Sequence, residues 1–355
     1  MPAESSADVS GSAGSVITPA ADEAPRLAFG FAIRNAIGVA IPLLAGVLAD
    51  DLVAGAVAGG GALVVGFADV GDTRPHRAAA MIATGLLGAV STFVGVLAAD
   101  SELASLLVTG LWGVGTGLAV AGGPIVGTVA LSATVALVVF AGNTTGSHAE
   151  LELAAFTLAG GALQTALGLL VPTRSGYPAH AHPLTELRGA VAAAVSWAHP
   201  VGRHAVRLGL ALAAATAVYR LLPVDRGYWI PLTVLFVMRP EAGRTRTRML
   251  QRFLGTVLGL LAITLVVSLL EPGALVLALI CAACMVPAYA YLWIDYTRFT
   301  VGIAGAAVAL AALVGLPEPI AALERLVDTL VGLAIIISLL ALLPEAPRRQ
   351  APARG

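Results

Sequence analysis

The chain has 355 residues, of which 58% are hydrophobic and 12% charged, with a mean hydropathy of +0.90 and a net charge of -1 at pH 7. Soluble domains carry about 25% charged residues, so the composition excludes a soluble globule and marks an integral membrane protein. The near-zero net charge removes any overall attraction to nucleic acid.

In chain order, residues 1–25 are rich in Ser, Ala and Asp and lack the basic start and apolar core of a signal peptide; they read as a disordered cytoplasmic tail. From residue 26, apolar stretches near the length needed to cross a bilayer, about 20 residues, predict helices near 28–48, 52–67, 78–98, 103–121, 125–142 and 151–171. These make residues 26–172 a first six-helix membrane repeat. Residues 173–203 form a cytoplasmic linker in which Leu184, Leu187, Val191, Val195 and Trp197 mark one face of a short amphipathic helix on the membrane surface. His180, His182, His199 and His204 lie in or beside it without ligand spacing, so no metal is expected. Helices near 204–222, 228–239, 249–270, 273–293, 298–315 and 323–343 make residues 204–344 the second repeat, and 345–355 a cytoplasmic tail. The expected fold is an all-α integral membrane protein with about twelve transmembrane helices in two parallel six-helix repeats.

The repeat is visible at an offset of 172 residues. Residues 69–84 lie over 241–256 without a gap, pairing Gly71 with Gly243, Thr73 with Thr245, Arg74 with Arg246 and Thr84 with Thr256. Residues 157–172 fall likewise on 329–344. Duplicated membrane units commonly build transporters, because the interface of the repeats makes a pathway either half can gate. All twenty basic residues are Arg, and with the N-terminus inside, seventeen of them fall at cytoplasmic ends. This bias predicts a multi-pass membrane protein with both termini cytoplasmic, and Arg without Lys, with abundant Ala, Gly and Val, suggests a bacterial source.

Cys281 and Cys284 form a CxxC inside an apolar run, where a thiolate has no solvent, so they read as packing residues. The glycines at 113, 115 and 117 precede no basic residue, and Asn143-Thr144-Thr145 is a sequon by pattern only. With no Walker motif, Ser-His-Asp set or metal cluster, neither an enzyme nor a cofactor is expected. Gly55/Gly59 and Gly255/Gly259 have the spacing of close helix packing, which permits a homodimer without requiring one.

Residues 226–259, RGYWIPLTVLFVMRPEAGRTRTRMLQRFLGTVLG, resemble the signature of the fusaric acid resistance protein-like family through Tyr228-Trp229, Pro231-Leu232-Thr233, Pro240, Gly243, Arg248, Arg252 and Gly255-Thr256. Residues 324–344, ERLVDTLVGLAIIISLLALLP, are similar to the family's closing helix. The first half resembles it more weakly, with Ala56 and Val57 in place of the aromatic pair. The resemblance implies a twelve-helix inner-membrane protein of the aromatic acid exporter type. Larger members carry a substantial domain between the halves that is missing from residues 173–203.

Candidate pathway residues are Tyr228, Trp229, Pro231, Thr233, Arg248, Arg252 and Arg298; candidate coupling or gating residues are Asp328, Arg325 and Asp295. Arg239, Arg244, Arg246, Arg248 and Arg252 fall within fourteen positions, and guanidinium groups grip carboxylates bidentately. The same residues would serve as lipid anchors. Tyr228 and Trp229 read first as interface aromatics, then as a stacking surface; Pro231 breaks the short helix they begin. Asp328 is an acid inside an expected span, where it either pairs with Arg325 at i, i+3 or carries a proton. Asp295 and Arg298 flank a helix turn as a loop pair or a gate, and Arg34 and Arg207 read as membrane anchors. The function expected is gradient-driven efflux of small organic, aromatic anions, with membrane lipids as the other partner. A passive anion channel and a scaffold without transport are the alternatives.

Overall fold

The computed structural model describes residues 26–142, 148–171, 173, 184–221 and 226–343. The two tails, the sequon at Asn143, and His180 and His182 lie outside the described residues. The described elements are helical throughout: α1 Phe29–Leu48, α2 Leu52–Phe67, α3 Arg74–Ala99, α4 Glu102–Ala119, α5 Gly123–Ala141, α6 Glu150–Leu170, α7 Leu184–Ala194, α8 Pro200–Leu221, α9 Trp229–Val237, α10 Ala242–Leu270, α11 Ala274–Tyr291, α12 Tyr296–Leu313 and α13 Glu318–Leu342. Starts are set locally by side-chain caps. Asp51 accepts from Ala54 N, Thr73 from His76 N and Ser101 from Ala104 N, each satisfying an amide that the first turn leaves free.

Among the described residues, eight segments are long and apolar enough to cross a membrane, against the twelve spans expected. One of the eight, Glu102–Ala141, runs 40 residues. It is folded back on itself: Thr116 Oγ1 lies 2.5 Å from Thr134 Oγ1, whereas a straight helix would hold these positions about 27 Å apart. A 3-10 turn at Val120–Gly122 and Gly123, at φ 86°, make the reversal between α4 and α5. At 16 residues α2 is short, and the nine residues of α9 reach only about 13 Å of a ~30 Å hydrocarbon core. The 22-residue α8 carries Arg203, Arg207 and Arg220.

Large side chains lie on the outside. Leu250, Leu254, Leu258, Leu261, Leu265 and Leu269 run exposed along α10, and Ile82, Leu86, Val90, Phe93 and Leu97 along α3. Such stripes suit a lipid solvent and would not stay solvated in water. Small residues face inward, where helices meet backbone to backbone. A Cβ on Gly160 of α6 would strike the carbonyl of Ala58 in α2, and a Cβ on Gly332 of α13 would sit 3.0 Å from the carbonyl of Ile230 in α9.

The two halves interlock, α1 packing on α11 and α4 on α8. Between them, the rings of Phe67 and Tyr289 (5.3 Å), Phe67 and Phe299 (5.9 Å) and Phe236 and Phe299 (5.9 Å) form one buried aromatic cluster. Tyr289 Oη donates to the carbonyl of Leu63 across the junction at 3.0 Å. Helix α7 lies over the α4–α5 reversal, Leu187 pressing on Gly122. It ends at Ala194, so Val195 and Trp197 fall beyond the helix, exposed, and do not extend the expected amphipathic face.

Candidate anion site and its approach

Helices α9, α10 and α13 meet around a group of buried polar side chains. Gly332 lets α13 approach α9 closely enough to lean on Thr233, whose Cβ would be 2.9 Å from a Cβ there. Thr233 Oγ1 accepts a hydrogen bond from Arg252 Nη2 at 3.3 Å. Arg252, Arg325, Asp328 and Thr233 are all buried, Asp328 and Thr233 completely. Arg252 stands ten residues into α10, about 15 Å along its axis, and Arg325 seven residues into α13, about 10 Å along its own. Both charges therefore lie inside helices long and apolar enough to cross a bilayer.

Among the described residues, Arg252 Nε and Nη1, all three nitrogens of Arg325 and both oxygens of Asp328 have no hydrogen-bond partner. Arg325 does not bond to Asp328 one turn away. Its guanidinium lies over the Trp229 ring, 3.6 Å from the centroid. Cation–π contact of this kind stabilises the charge without occupying its N–H groups. Trp229 thus spends one face on Arg325, and Tyr228 packs beside it with 5.1 Å between ring centroids. Pro231, buried in the first turn of α9, occupies a position where no amide donor is needed.

Arg248, one turn before Arg252, is half-buried and has its guanidinium 4.2 Å from the centroid of the Tyr296 ring. With Arg239, Gly243, Arg244, Thr247 and Gln251 it lines a cavity of about 290 Å³ at the start of α10. In the loop before α10, burial and then the neighbouring Arg248 lower Arg239 to about 10, which leaves it cationic at neutral pH. Arg248 and Arg252 thus do different jobs: the first faces the cavity, the second the interior.

Asp295 and Arg298 stand apart from this group. Asp295 caps α12 by accepting from Thr297 N at 2.9 Å and Arg298 N at 3.3 Å, and its other oxygen lies 3.4 Å from Arg298 Nε. Arg298 is exposed, 4.8 Å from the centroid of the Tyr291 ring. The pair is local to one helix start.

A second charged cluster, in the first half, went unread in the sequence. Asp69, fully buried after α2, accepts from Arg34 Nη2, from Arg77 Nε at 2.7 Å and from Arg77 Nη2 at 3.1 Å. Arg34 Nη1 also donates to the carbonyls of Gly168, Val171 and Thr173, and Arg77 to that of Gly168 at 3.2 Å, so both close the carboxyl end of α6. Asn35 accepts from Arg34 and from Gln164. Arg34 and Arg207, read as anchors, are both buried. The available signal was the pair Asn35 and Gln164, polar residues inside apolar spans that require partners there.

Fold and site together define a polytopic, all-helical membrane protein with unsaturated cationic groups held inside its second half. The sequence model of the fusaric acid resistance protein-like family matches residues 212–339, the stretch that contains α9, α10 and nearly all of α13, and this part of the chain belongs to that family. The inner membrane protein YccS of Escherichia coli is 36% identical over 136 residues, 38% of this chain and 18% of that one. The uncharacterized protein slr1298 of Synechocystis is 31% identical over 141 residues, 39% and 18% of the two chains. The uncharacterized protein ORF2 of Neisseria gonorrhoeae is 50% identical over 66 residues, 19% and 16%. The matched stretch spans less than a fifth of each relative's length. No solved structure matches the chain.

Proposed function

We propose that the chain transports small organic anions, aromatic carboxylates among them, out across the bacterial inner membrane. The observation that carries this reading is the pair of buried guanidiniums, Arg252 and Arg325, with five nitrogens unpartnered among the described residues. A cation held in a bilayer without acceptors is costly, by roughly 2.5–3.5 kcal/mol on insertion scales, and the cost is offset when an anion supplies them. The cavity at the start of α10, lined by Arg239, Arg244 and Arg248, would concentrate anions there.

The architecture that serves this function is two parallel six-helix repeats with the Arg-rich loops inside. Three observations support it. Shifted by 172 residues, α4 (Glu102–Ala119) coincides with α11 (Ala274–Tyr291), and the other five helices of the first half overlap α8, α9, α10, α12 and α13. The packing of α1 on α11 is mirrored by that of α8 on α4. The close approach of Gly160 to Ala58 recurs, at the same offset, as Gly332 to Ile230. Such an arrangement allows alternating access between the halves.

The test is efflux of labelled benzoate from proteoliposomes under an inside-negative potential. Wild-type protein is expected to give saturable efflux, and Arg252→Gln to lower it at least tenfold with normal incorporation, since one charge-assisted bond contributes about 1.5–3 kcal/mol. Absence of flux from well-folded wild-type protein refutes the reading; flux that does not saturate favours a channel.

A further inference from the structure

The buried carboxylate of Asp328 is the group the transport reading leaves unexplained. It is fully buried, and neither oxygen has a partner among the described residues although Arg325 lies one turn away on the same helix. Arg325 rests on Trp229 instead. The titratable groups near Asp328 are Arg325 and Glu324 of α13, and those near Arg325 are Arg252 of α10, Tyr228 before α9, Tyr296 of α12 and Asp328 itself. From α8, which also touches α13, Tyr219 bonds to Ala141, and Arg220 to Ala99, Ser105 and Ala141, while His204 lies near Arg239 and Arg207. Asp328 is thus the carboxylate one turn from Arg325, whose donors are open and beside which Arg252 brings a second guanidinium.

Resting on the anion-transport reading, we infer that Asp328 links anion and proton binding positively: an anion binds best when Asp328 is protonated, so the two occupy the site together. Ionised Asp328 puts a fixed negative charge one turn from the open donors of Arg325, and that charge repels an incoming anion. A proton taken from water onto a carboxylate oxygen removes the repulsion and leaves the guanidinium donors to the substrate. Trp229 is the positioning residue, holding Arg325 off Asp328 while leaving its N–H groups open. Linkage is reciprocal, so anion binding must in turn draw a proton onto Asp328. Exchange of an anion for a proton needs ligands that exclude each other, and this site does the opposite. Moved together one to one, the anion and the proton carry no net charge, so the anion's own gradient drives outward movement, the membrane potential does no work on it, and an inward proton gradient opposes it.

The experiment uses the full chain in lipid nanodiscs with benzoate as probe, between pH 5.5 and 8, where benzoate stays ionised. Titration calorimetry in buffers of differing ionisation enthalpy counts the protons. Wild-type protein is expected to take up protons on binding, with affinity weakening by up to about tenfold per pH unit as Asp328 ionises. Asp328→Asn is expected to bind at the wild-type low-pH affinity, without pH dependence or proton uptake, and Asp328→Glu to restore both. Proton release by wild-type protein, or uptake undiminished in Asp328→Asn, overturns this inference and leaves the anion reading standing. No benzoate binding by folded wild-type protein at any pH overturns both.

Discussion

Replacing Asp69 with Asn tests whether the buried ion-pair cluster of the first half is a structural lock. The carboxylate accepts three charge-assisted hydrogen bonds, one from Arg34 and two from Arg77, in a fully buried position. An Asn keeps one acceptor, turns a donor toward a guanidinium and leaves two positive charges without a counter-charge. Breaking a buried pair costs about 3–5 kcal/mol. Arg34 retains three backbone carbonyls and Arg77 one, which places the expected loss at the low end, about 3 kcal/mol. Equilibrium unfolding in mixed SDS micelles, followed by far-UV circular dichroism, measures it. Adding Arg77→Met should restore part of the loss, so that the double variant is more stable than the sum of the singles by about 0.5–3 kcal/mol. A single-variant loss under about 0.5 kcal/mol, or strict additivity, would show that the bonds seen around Asp69 do not hold the fold together.

The second half should respond the other way to the same chemistry. Asp328 makes no hydrogen bond that Asn would lose, so Asp328→Asn is expected to leave stability unchanged or to raise it by removing a buried charge; a loss above about 2 kcal/mol in the same unfolding assay contradicts that. In the loop before α6, Asp51, then Glu152, raises His148 above its usual 6.5 through hydrogen bonds of 3.2 Å each. Protonated His148 therefore adds stability that is complete below pH 6.5 and lost as pH rises through its higher folded value, and the thermal midpoint of His148→Gln should lack this alkaline drop. Cysteines placed at Asp72 and Gly243 should resist a membrane-impermeant thiol reagent added to intact cells; Asp72 is chosen because Gly71, at φ 143°, is strained by any side chain. Labelling of either from outside removes the parallel-repeat architecture.

The sequence by itself determined the solvent, the helices and the second-half module. Apolar runs near bilayer length have only one way to satisfy their backbone in lipid, so the helical segments could be placed from composition alone, and α11 and α12 begin and end within two residues of expectation. Trp229, Thr233 and Arg252 were legible because they lie within one short stretch, and Asp328 because a carboxylate inside an apolar run has to be explained. At the offset of 172 residues Phe156 stands where Asp328 does, so that carboxylate has no counterpart in the first half. What it could not show was pairing. Asp69 and Arg77 read as loop charges, yet α6 brings its carboxyl end to them from ninety residues away and buries all three partners together. Conversely, Arg325 and Asp328 have the spacing of a helical ion pair, but α9 delivers the Trp229 ring to Arg325 and keeps them apart. Charges acquire partners through helix packing in three dimensions, which the order of residues along one helix does not encode, and that packing decided that Asp69 is ion-paired while Asp328 is not.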